Sequence, residues 1–293
     1  MEFESLKEET KKRVLTFQKT EITEYYIYKK LSKLDKNKSN KNVLEHIAKD
    51  ELRHYNYWKK FTKRNIEPNM FKLWFFIILC RIFGITFGIK LMEKGEVFSY
   101  GSYSQLARSV PIAKNIIRDE DKHEFQLLKL LKEEKLNYVG SIVLGLNDAL
   151  VELTGALAGF TLAFQNARLI AIAGLITGIA ASFSMGASEY LSIKSERQKR
   201  NPKKAAFYTG IAYLFTVLFL ILPYLILNNV FLSLSITIFT AIFIIFLFTF
   251  YSSIAQDLPF KKRFFEMIAL SLGIAAITFF IGLLIRKFIG IEI

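Results

Sequence analysis

The sequence predicts an all-α protein in which a charged four-helix bundle is followed by five transmembrane helices. The chain has 293 residues, of which 23% are charged, yet its mean hydropathy is +0.28. Of its 40 Lys and Arg residues, 28 lie in residues 1–138, as do all three His. This uneven distribution predicts two domains, 1–137 and 138–293. The composition excludes disordered and collagen-like chains, and the single cysteine, Cys80, excludes a disulfide scaffold.

Long uncharged runs mark the membrane domain. Residues 205–256 contain no Asp, Glu, Lys or Arg over 52 positions. Because a bilayer core of about 30 Å needs roughly 20 apolar residues per helix, this run predicts two spans, with the break at Asn228-Asn229. Residues 267–285 form a further uncharged run and predict another span.

Two more spans precede these. Residues 169–188 are uncharged, and residues 139–167 are apolar except for Asp148 and Glu152. The five predicted spans lie near residues 139–165, 169–193, 206–227, 230–253 and 265–286.

The basic residues of the connecting loops predict the orientation. Six Lys and Arg residues lie in 194–204 and three in 261–263, whereas the alternate loops carry Arg168 alone or none. Because Lys and Arg in short loops stay cytoplasmic, we expect a multi-pass protein of the cell membrane with a cytoplasmic N-terminal domain and the C-terminus outside. Topology and attraction to anionic lipid account for the basic charge, and no nucleic-acid partner is needed.

An apolar segment at 73–89 does not fit a span. Arg81 and Gly84 interrupt it, and its uncharged runs, 73–80 and 82–89, are each too short to cross a bilayer. We expect a helical segment lying on the membrane surface or against partner helices. The alternative, a sixth span, would upset the charge asymmetry of the loops.

The N-terminal domain is predicted to consist of four long amphipathic helices, which implies a bundle. Their predicted bounds are Glu4–Leu34, Asn42–Arg64, Gly88–Val110 and Pro111–Lys135.

The predicted helices carry a repeated set of metal-ligand residue types. The second and fourth each contain Glu-x-x-His, Glu51 with His54 and Glu120 with His123, which puts both side chains on one helix face. The first and third carry single or paired glutamates. Carboxylates and imidazoles in this order form the ligand set of a di-iron or di-manganese bundle. The candidate metal ligands are Glu21, Glu51, His54, Glu93, Glu96, Glu120 and His123; Glu24 is left open, and His46 lies outside the pattern.

This half of the chain, roughly 5–136, resembles rubrerythrin and the wider ferritin-like family. The pair Glu93 and Glu96 matches the rubrerythrin arrangement, in which two glutamates at that spacing serve the metals. The resemblance implies a di-iron site for Fe²⁺, with Mn²⁺ as the alternative metal. The rubredoxin-like iron–cysteine module of rubrerythrin is missing, which argues against rubrerythrin-type peroxidase chemistry. Ferroxidase activity of the N-terminal domain is compatible with the ligand set.

Ionisable groups inside predicted spans are candidates for an ion path. Asp148 and Glu152 lie one turn apart in the first span, and Met185 and Glu189 are four residues apart in the second. A charged side chain at bilayer depth costs about 2.5–3.5 kcal/mol, so it is usually functional. Carboxylates with a thioether favour transition metals over Mg²⁺ or Ca²⁺. Small residues that permit close helix packing surround them, in Gly155-x-x-x-Gly159 and Gly174-x-x-x-Gly178.

The motifs around these groups resemble the vacuolar iron transporter family over roughly 137–290. Leu144-Gly-Leu-Asn-Asp-Ala-Leu-Val151 is similar to its first-span signature, and Ser184-Met-Gly-Ala-Ser-Glu-Tyr-Leu-Ser192 to its second. The resemblance implies a dimer that exchanges ferrous iron for protons, with Asp148 and Met185 lining the path and Glu189 assigned less firmly. Plant members carry a glutamate-rich domain between spans two and three, where this chain has only the short loop 194–205.

The leading hypothesis is a membrane transporter that exports ferrous iron or Mn²⁺ as a homodimer driven by proton antiport. The N-terminal domain would capture, oxidise or sense the metal. The alternative is a membrane-anchored di-iron oxidase or peroxidase without transport, although an anchor has no need of intramembrane carboxylates.

Overall fold

The structure, a computed structural model, describes residues 3–92, 94, 116, 119, 138–195 and 200–289. All regular secondary structure in these ranges is helical, which confirms the predicted all-α class. The chain divides into two compact units, Met1–Glu133 and Glu134–Ile293.

The first unit begins with a short 3₁₀ helix, Phe3–Ser5, followed by three α-helices. These are α1 (Glu8–Leu34), α2 (Lys38–Thr62) and α3 (Met70–Phe83). Asparagines cap two of them: the Asn37 side chain accepts from the backbone of Ser39 and Asn40, and the Asn69 side chain accepts from that of Lys72. Helix α2 therefore starts four residues before the predicted Asn42, because its first turn is specified by the cap rather than by apolar residues.

Helices α1, α2 and α3 share one apolar core. Ile27, Tyr28 and Leu31 of α1 pack with Leu44 and other side chains of α2, and with one face of α3. A second cluster joins Phe17 of α1 to Trp58 of α2, whose rings stack 6.4 Å apart. These contacts fix the relative register of α1 and α2, which carry the first candidate site.

The apolar segment 73–89 is not one continuous helix. Helix α3 ends at Phe83, Gly84 has φ 99°, and residues 85–92 are helical again. Only glycine adopts that backbone angle without strain, so the break is encoded by Gly84. One face of α3, including Leu73 and Phe76, is buried against α1 and α2, as expected for packing on partner helices.

The remaining helices predicted for the bundle lie mostly outside the described residues. Of Gly88–Val110 and Pro111–Lys135, the structure describes residues 88–92, 94, 116 and 119, and these are helical.

The second unit contains five long apolar helices. They are α4 (Val139–Phe164), α5 (Ala167–Ser195), α6 (Pro202–Ile226), α7 (Val230–Ala255) and α8 (Phe260–Ile289). Within the described ranges, these five are the helices long and apolar enough to cross a membrane. The predicted number of spans is therefore confirmed, and the protein is a multi-pass membrane protein.

The helices of this unit extend beyond the predicted spans at their charged ends. Helix α6 begins at Pro202, where Asn201 caps the backbone of Lys203 and Lys204, four residues before the predicted start. Helix α8 begins at Phe260, five residues before the predicted start. Hydropathy detects the part of a helix within lipid, whereas a capped helix continues through the headgroup layer.

Glycines allow the closest helix crossings of this unit. A Cβ on Gly282 of α8 would collide with the Gly159 carbonyl oxygen of α4, and a Cβ on Gly145 of α4 would collide with that of Thr209 in α6. A Cβ on Gly178 of α5 would collide with the side chain of Val217 in α6. The predicted small-residue repeats therefore pack spans against one another, as expected.

Candidate metal sites

Three of the predicted metal ligands of the first unit converge inside it. Glu21 of α1 and Glu51 and His54 of α2 bring one ligand atom each to within 4.8 Å of one another, and all three residues are buried. His54 Nδ1 lies 3.4 Å from Glu21 Oε2 and 3.8 Å from Glu51 Oε2. The side chain of His54 is fully shielded from solvent.

The helical register explains this convergence. Glu51 and His54 are three residues apart, so both project from one face of α2. Packing of α1 on α2 through Phe17 and Trp58 brings Glu21 opposite that face.

The donor set of this cluster fits a divalent transition metal. Two buried carboxylates beside one imidazole are unfavourable without a compensating cation, because charge is poorly solvated there. Carboxylate oxygen and imidazole nitrogen are the ligand types that iron and manganese accept together.

Two further side chains hold the cluster in position. Trp58 Nε1 donates to Glu21 Oε1 at 3.4 Å, within the buried core. On the other side of the imidazole, His54 Nε2 faces Asp119 Oδ2 at 3.5 Å. A carboxylate on the second ring nitrogen orients a ligating histidine and raises its basicity. Nδ1 is thus the nitrogen that faces the glutamates.

Asp119 also forms an ion pair with Arg53 of α2. Arg53 bonds Asp119 Oδ2 at 3.0 Å and Asp50 Oδ1 at 2.6 Å. Burial acts to raise the pKa of Asp119, but His54 and Arg53 outweigh it and hold the pKa below its usual range. The side chain is therefore ionised where it meets the imidazole.

The sequence contained a signal for Asp119. Both Glu-x-x-His motifs are preceded by aspartate, so the repeat is Asp-Glu-x-x-His, beginning at Asp50 and again at Asp119. Consecutive residues of an α-helix are rotated by about 100° about the helix axis. An aspartate next to a ligand glutamate therefore points toward a neighbouring helix rather than toward the metal of that glutamate.

Two nearby residues, Glu24 and His46, make contacts of their own. Glu24 is buried, and Lys72 Nζ of α3 lies 2.8 Å from its Oε1, so its charge is balanced by lysine. His46 is 61% exposed and faces Asp50 at 3.6 Å, which agrees with its position outside the ligand pattern. Neither contributes to the three-residue cluster.

The other half of the predicted ligand set is not described. Glu93, Glu96, Glu120 and His123 lie outside the described residues, so their assignment as ligands stays a prediction.

In the second unit, the candidate path residues lie at comparable depths. Helices α4 and α5 are joined by Gln165 and Asn166 alone, which makes them antiparallel neighbours. Asp148 is nine residues from the start of α4, and Met185 is ten residues from the end of α5. At 1.5 Å per residue, each is about 14–15 Å from the same side of the unit.

The two carboxylates of α4 have different surroundings. Asp148 is half-buried, whereas Glu152 is exposed and accepts from the hydroxyl of Tyr213 in α6 at 3.1 Å. No ion pair recorded among the described residues involves Asp148 or Glu152. These carboxylates are thus at membrane depth without a basic partner in the described part of the chain.

Glu189 lies nearer the end of its helix and is enclosed by protein. It is only 8% exposed, and the buried Ser141 of α4 donates to its Oε1 at 2.7 Å. This contact links the Glu189 carboxylate of α5 to α4. Met185, one turn away, packs partly buried against the apolar core of this unit.

The fold and these groups define a class of protein. Five membrane-length helices with ionisable side chains at bilayer depth are typical of proteins that move ions.

Comparison with known families narrows this class. Residues 139–201 match the VIT family, and the match includes Asp148, Glu152, Met185 and Glu189. The match covers α4, α5 and the six residues that follow, and this similarity suggests a membrane metal-ion transporter. A comparison with curated proteins finds no match.

Proposed function

We propose that the protein transports ferrous iron, with Mn²⁺ as the second candidate, out of the cytoplasm in exchange for protons. The observation that carries this proposal is the pair Asp148 and Glu152, two carboxylates at membrane depth within the family match and without a basic partner among the described residues. Keeping such groups in a span is costly, and a passing cation supplies the missing charge.

The proposed path also contains a soft ligand. Met185 lies at the depth of Asp148, and its thioether binds transition metals better than Mg²⁺ or Ca²⁺. Glu189, held by Ser141 nearer the end of α5, provides a further carboxylate along the same route.

Proton antiport follows from the same carboxylates. After the metal leaves, a carboxylate at bilayer depth is stabilised by taking up a proton, and the next metal ion displaces that proton. The cycle moves charge in both directions without leaving bare carboxylates in a low-dielectric region.

The direction is proposed from the basic loops. The loop between α5 and α6 and the one between α7 and α8 carry most of the Lys and Arg of the second unit, which favours their cytoplasmic location. The first unit is then cytoplasmic, the C-terminus lies outside, and a capture domain on the cytoplasmic side implies export through the cell membrane.

A homodimer is proposed because Glu152 is exposed on the single chain. A carboxylate facing lipid is unfavourable, whereas a second copy packed against α4 would enclose it in a polar route between subunits.

For the first unit we propose a di-metal site that captures the metal before transport. Glu21, Glu51 and His54 would provide one part of the ligand set. Glu93, Glu96, Glu120 and His123 are predicted to complete it. Bound iron would supply redox chemistry toward oxygen, so a ferroxidase role is a second possible use of the same ligands. The protein residues hold the ions and exclude water around them.

The decisive experiment measures metal uptake into liposomes that contain the full-length protein, with Fe²⁺, Mn²⁺ and Co²⁺ tested separately across an imposed pH gradient. We expect Asp148→Ala to abolish flux and Ser235→Ala to leave it unchanged, because the Ser235 hydroxyl bonds its own helix at Phe231. Metal flux that persists in Asp148→Ala would place the path elsewhere, and flux indifferent to the gradient would contradict antiport.

The buried cluster of the first unit favours a second candidate, a membrane-anchored di-iron oxidase or peroxidase. That function requires oxygen or peroxide consumption by the full-length protein, unaffected by Asp148→Ala, and no metal flux.

A further inference from the structure

The outer face of α3 is unusually apolar for an exposed surface of the first unit. Its side chains are large, and several are mostly accessible: Phe71 is 83% exposed, Ile82 64% and Ile78 55%. Trp74 and Phe75 on the same helix are each 48% exposed. Because the opposite face is buried against α1 and α2, this outer face is a stable feature of the folded unit.

Positive charge accompanies this face. Residues 68–92 contain no Asp or Glu. They contain Arg81, which is exposed, and Lys90, whereas the charge of Lys72 is balanced by Glu24 of α1. Lys30 of α1 adds a cation directly over the Trp74 ring, with Nζ 3.8 Å from its centroid. Aromatic side chains next to Lys and Arg are typical of helices that lie in the headgroup layer of a membrane.

We propose that α3 docks the first unit onto the surface of the same bilayer that α4–α8 cross, with its aromatic face among the acyl chains and its cations at anionic headgroups. The 14 residues of α3 extend about 21 Å, too short to cross the hydrocarbon core, so the helix lies parallel to the membrane plane. The chain itself ties the first unit to the bilayer, which gives the lipid surface a high effective concentration.

Charge favours lipid over a second copy as the occupant of this face. In a two-fold symmetric contact this face would meet a copy of itself, so its cations would lie opposite a surface that carries cations and, over residues 68–92, no Asp or Glu. An anionic leaflet instead complements these cations.

The two tryptophans of the chain provide a matched pair of reporters. Trp74 lies on the proposed docking face, whereas Trp58 has no exposed surface. In full-length protein reconstituted into liposomes, Trp58→Phe leaves Trp74 as the single reporter, and Trp74→Phe leaves Trp58. The liposomes contain phosphatidylglycerol and lipids brominated on the acyl chain near the headgroup, and aqueous iodide serves as the competing quencher.

We expect brominated lipid to remove most of the Trp74 emission and iodide to remove little, while Trp58 responds weakly to both. Replacing phosphatidylglycerol with phosphatidylcholine, or introducing Arg81→Glu, should reduce the lipid quenching of Trp74. Strong iodide quenching of Trp74 with no effect of brominated lipid would overturn the proposal. Protection from both quenchers that depends on protein density would instead assign the face to a second copy.

A second experiment uses a spin label and keeps both tryptophans, so the bond from Trp58 to Glu21 is not disturbed. In a Cys80→Ala background, Phe71→Cys carries the label on the docking face and Asn56→Cys carries it on an exposed position of α2. We expect the label at position 71 to be accessible to oxygen dissolved in lipid and shielded from a water-soluble nickel chelate, and the label at 56 to show the reverse. Equal chelate access at both positions would exclude membrane docking.

Discussion

The candidate-site carboxylates of the two units differ in how far they are exposed. In the first, Glu21 and Glu51 are sealed among α1 and α2 beside a fully shielded histidine. In the second, Asp148 is half-buried and Glu152 is exposed on the single chain, with a tyrosine hydroxyl as its bonding partner. An enclosed, rigidly oriented ligand set suits retention of an ion, whereas accessible carboxylates suit passage. Under the proposed function, the first set would hold a metal ion and the second would let it pass.

The largest expected effect tests whether the two sites are separable. His54→Ala should remove metal binding by the first unit, because the imidazole is one of three converging ligands. It should leave flux through the second unit intact when metal is saturating. Anaerobic Co²⁺ titration of the purified full-length protein, followed by flux in liposomes, measures both quantities.

His46→Ala is the matched control, since His46 is exposed and outside the cluster. Loss of flux in His54→Ala at saturating metal would mean that the two regions work as one site.

Removing the carboxylate behind the histidine should have an intermediate effect. Asp119→Asn keeps the shape of the side chain but loses the charge that faces His54 Nε2. We expect metal affinity to fall by about 10–100-fold, the usual effect of losing the partner of a ligating histidine. Asp119→Glu should restore part of it, and Glu67→Gln, at an exposed position, is the control. An unchanged affinity in Asp119→Asn would remove Asp119 from the site.

The packing of the second unit can be tested with two glycines of α8. Gly282→Ala places a methyl group against the backbone of Gly159, whereas Gly273 has nothing within 4 Å of its Cβ position. Overpacking typically costs about 1–3 kcal/mol, so the thermal midpoint of the detergent-solubilised protein should fall for Gly282→Ala and stay for Gly273→Ala. Equal midpoints would show that α4 and α8 separate easily.

The smallest expected effect concerns the orientation of Glu152. Tyr213→Phe removes the hydroxyl that bonds its carboxylate. Such a bond contributes about 1 kcal/mol, so we expect a reduction in metal flux of roughly fivefold without loss of folding. Tyr208→Phe, on the same helix, is the control, and equal flux in both variants would exclude a role for the Tyr213 hydroxyl.

Sequence patterns predicted the positions of the spans better than their ends. Hydropathy located all five membrane helices, because lipid demands a long apolar run. It missed the first turn of α6, which Asn201 caps, and the first turn of α8, which contains Lys261, Lys262 and Arg263. Caps act over two or three residues and leave no trace in a long hydropathy window.

For the sites, the spacing of residues along one helix could be predicted from the sequence, whereas contacts between residues of different helices could not. The spacing of Glu51 and His54 placed both on one face, and the structure brings Glu21 to them. The contacts of Lys72 with Glu24 and of Ser141 with Glu189 join residues 48 positions apart. Such pairs depend on the tertiary packing of helices, which spacing along one helix does not encode.

The connection between α4 and α5 constrains any transport cycle. Only Gln165, with φ 49°, and Asn166 separate the two helices, and the Asn166 side chain accepts from the backbone of Arg168 and Leu169 at the start of α5. A connection of two residues is too short for α4 to slide far along α5. A rearrangement of these two helices would therefore keep Asp148 and Met185 at comparable depths.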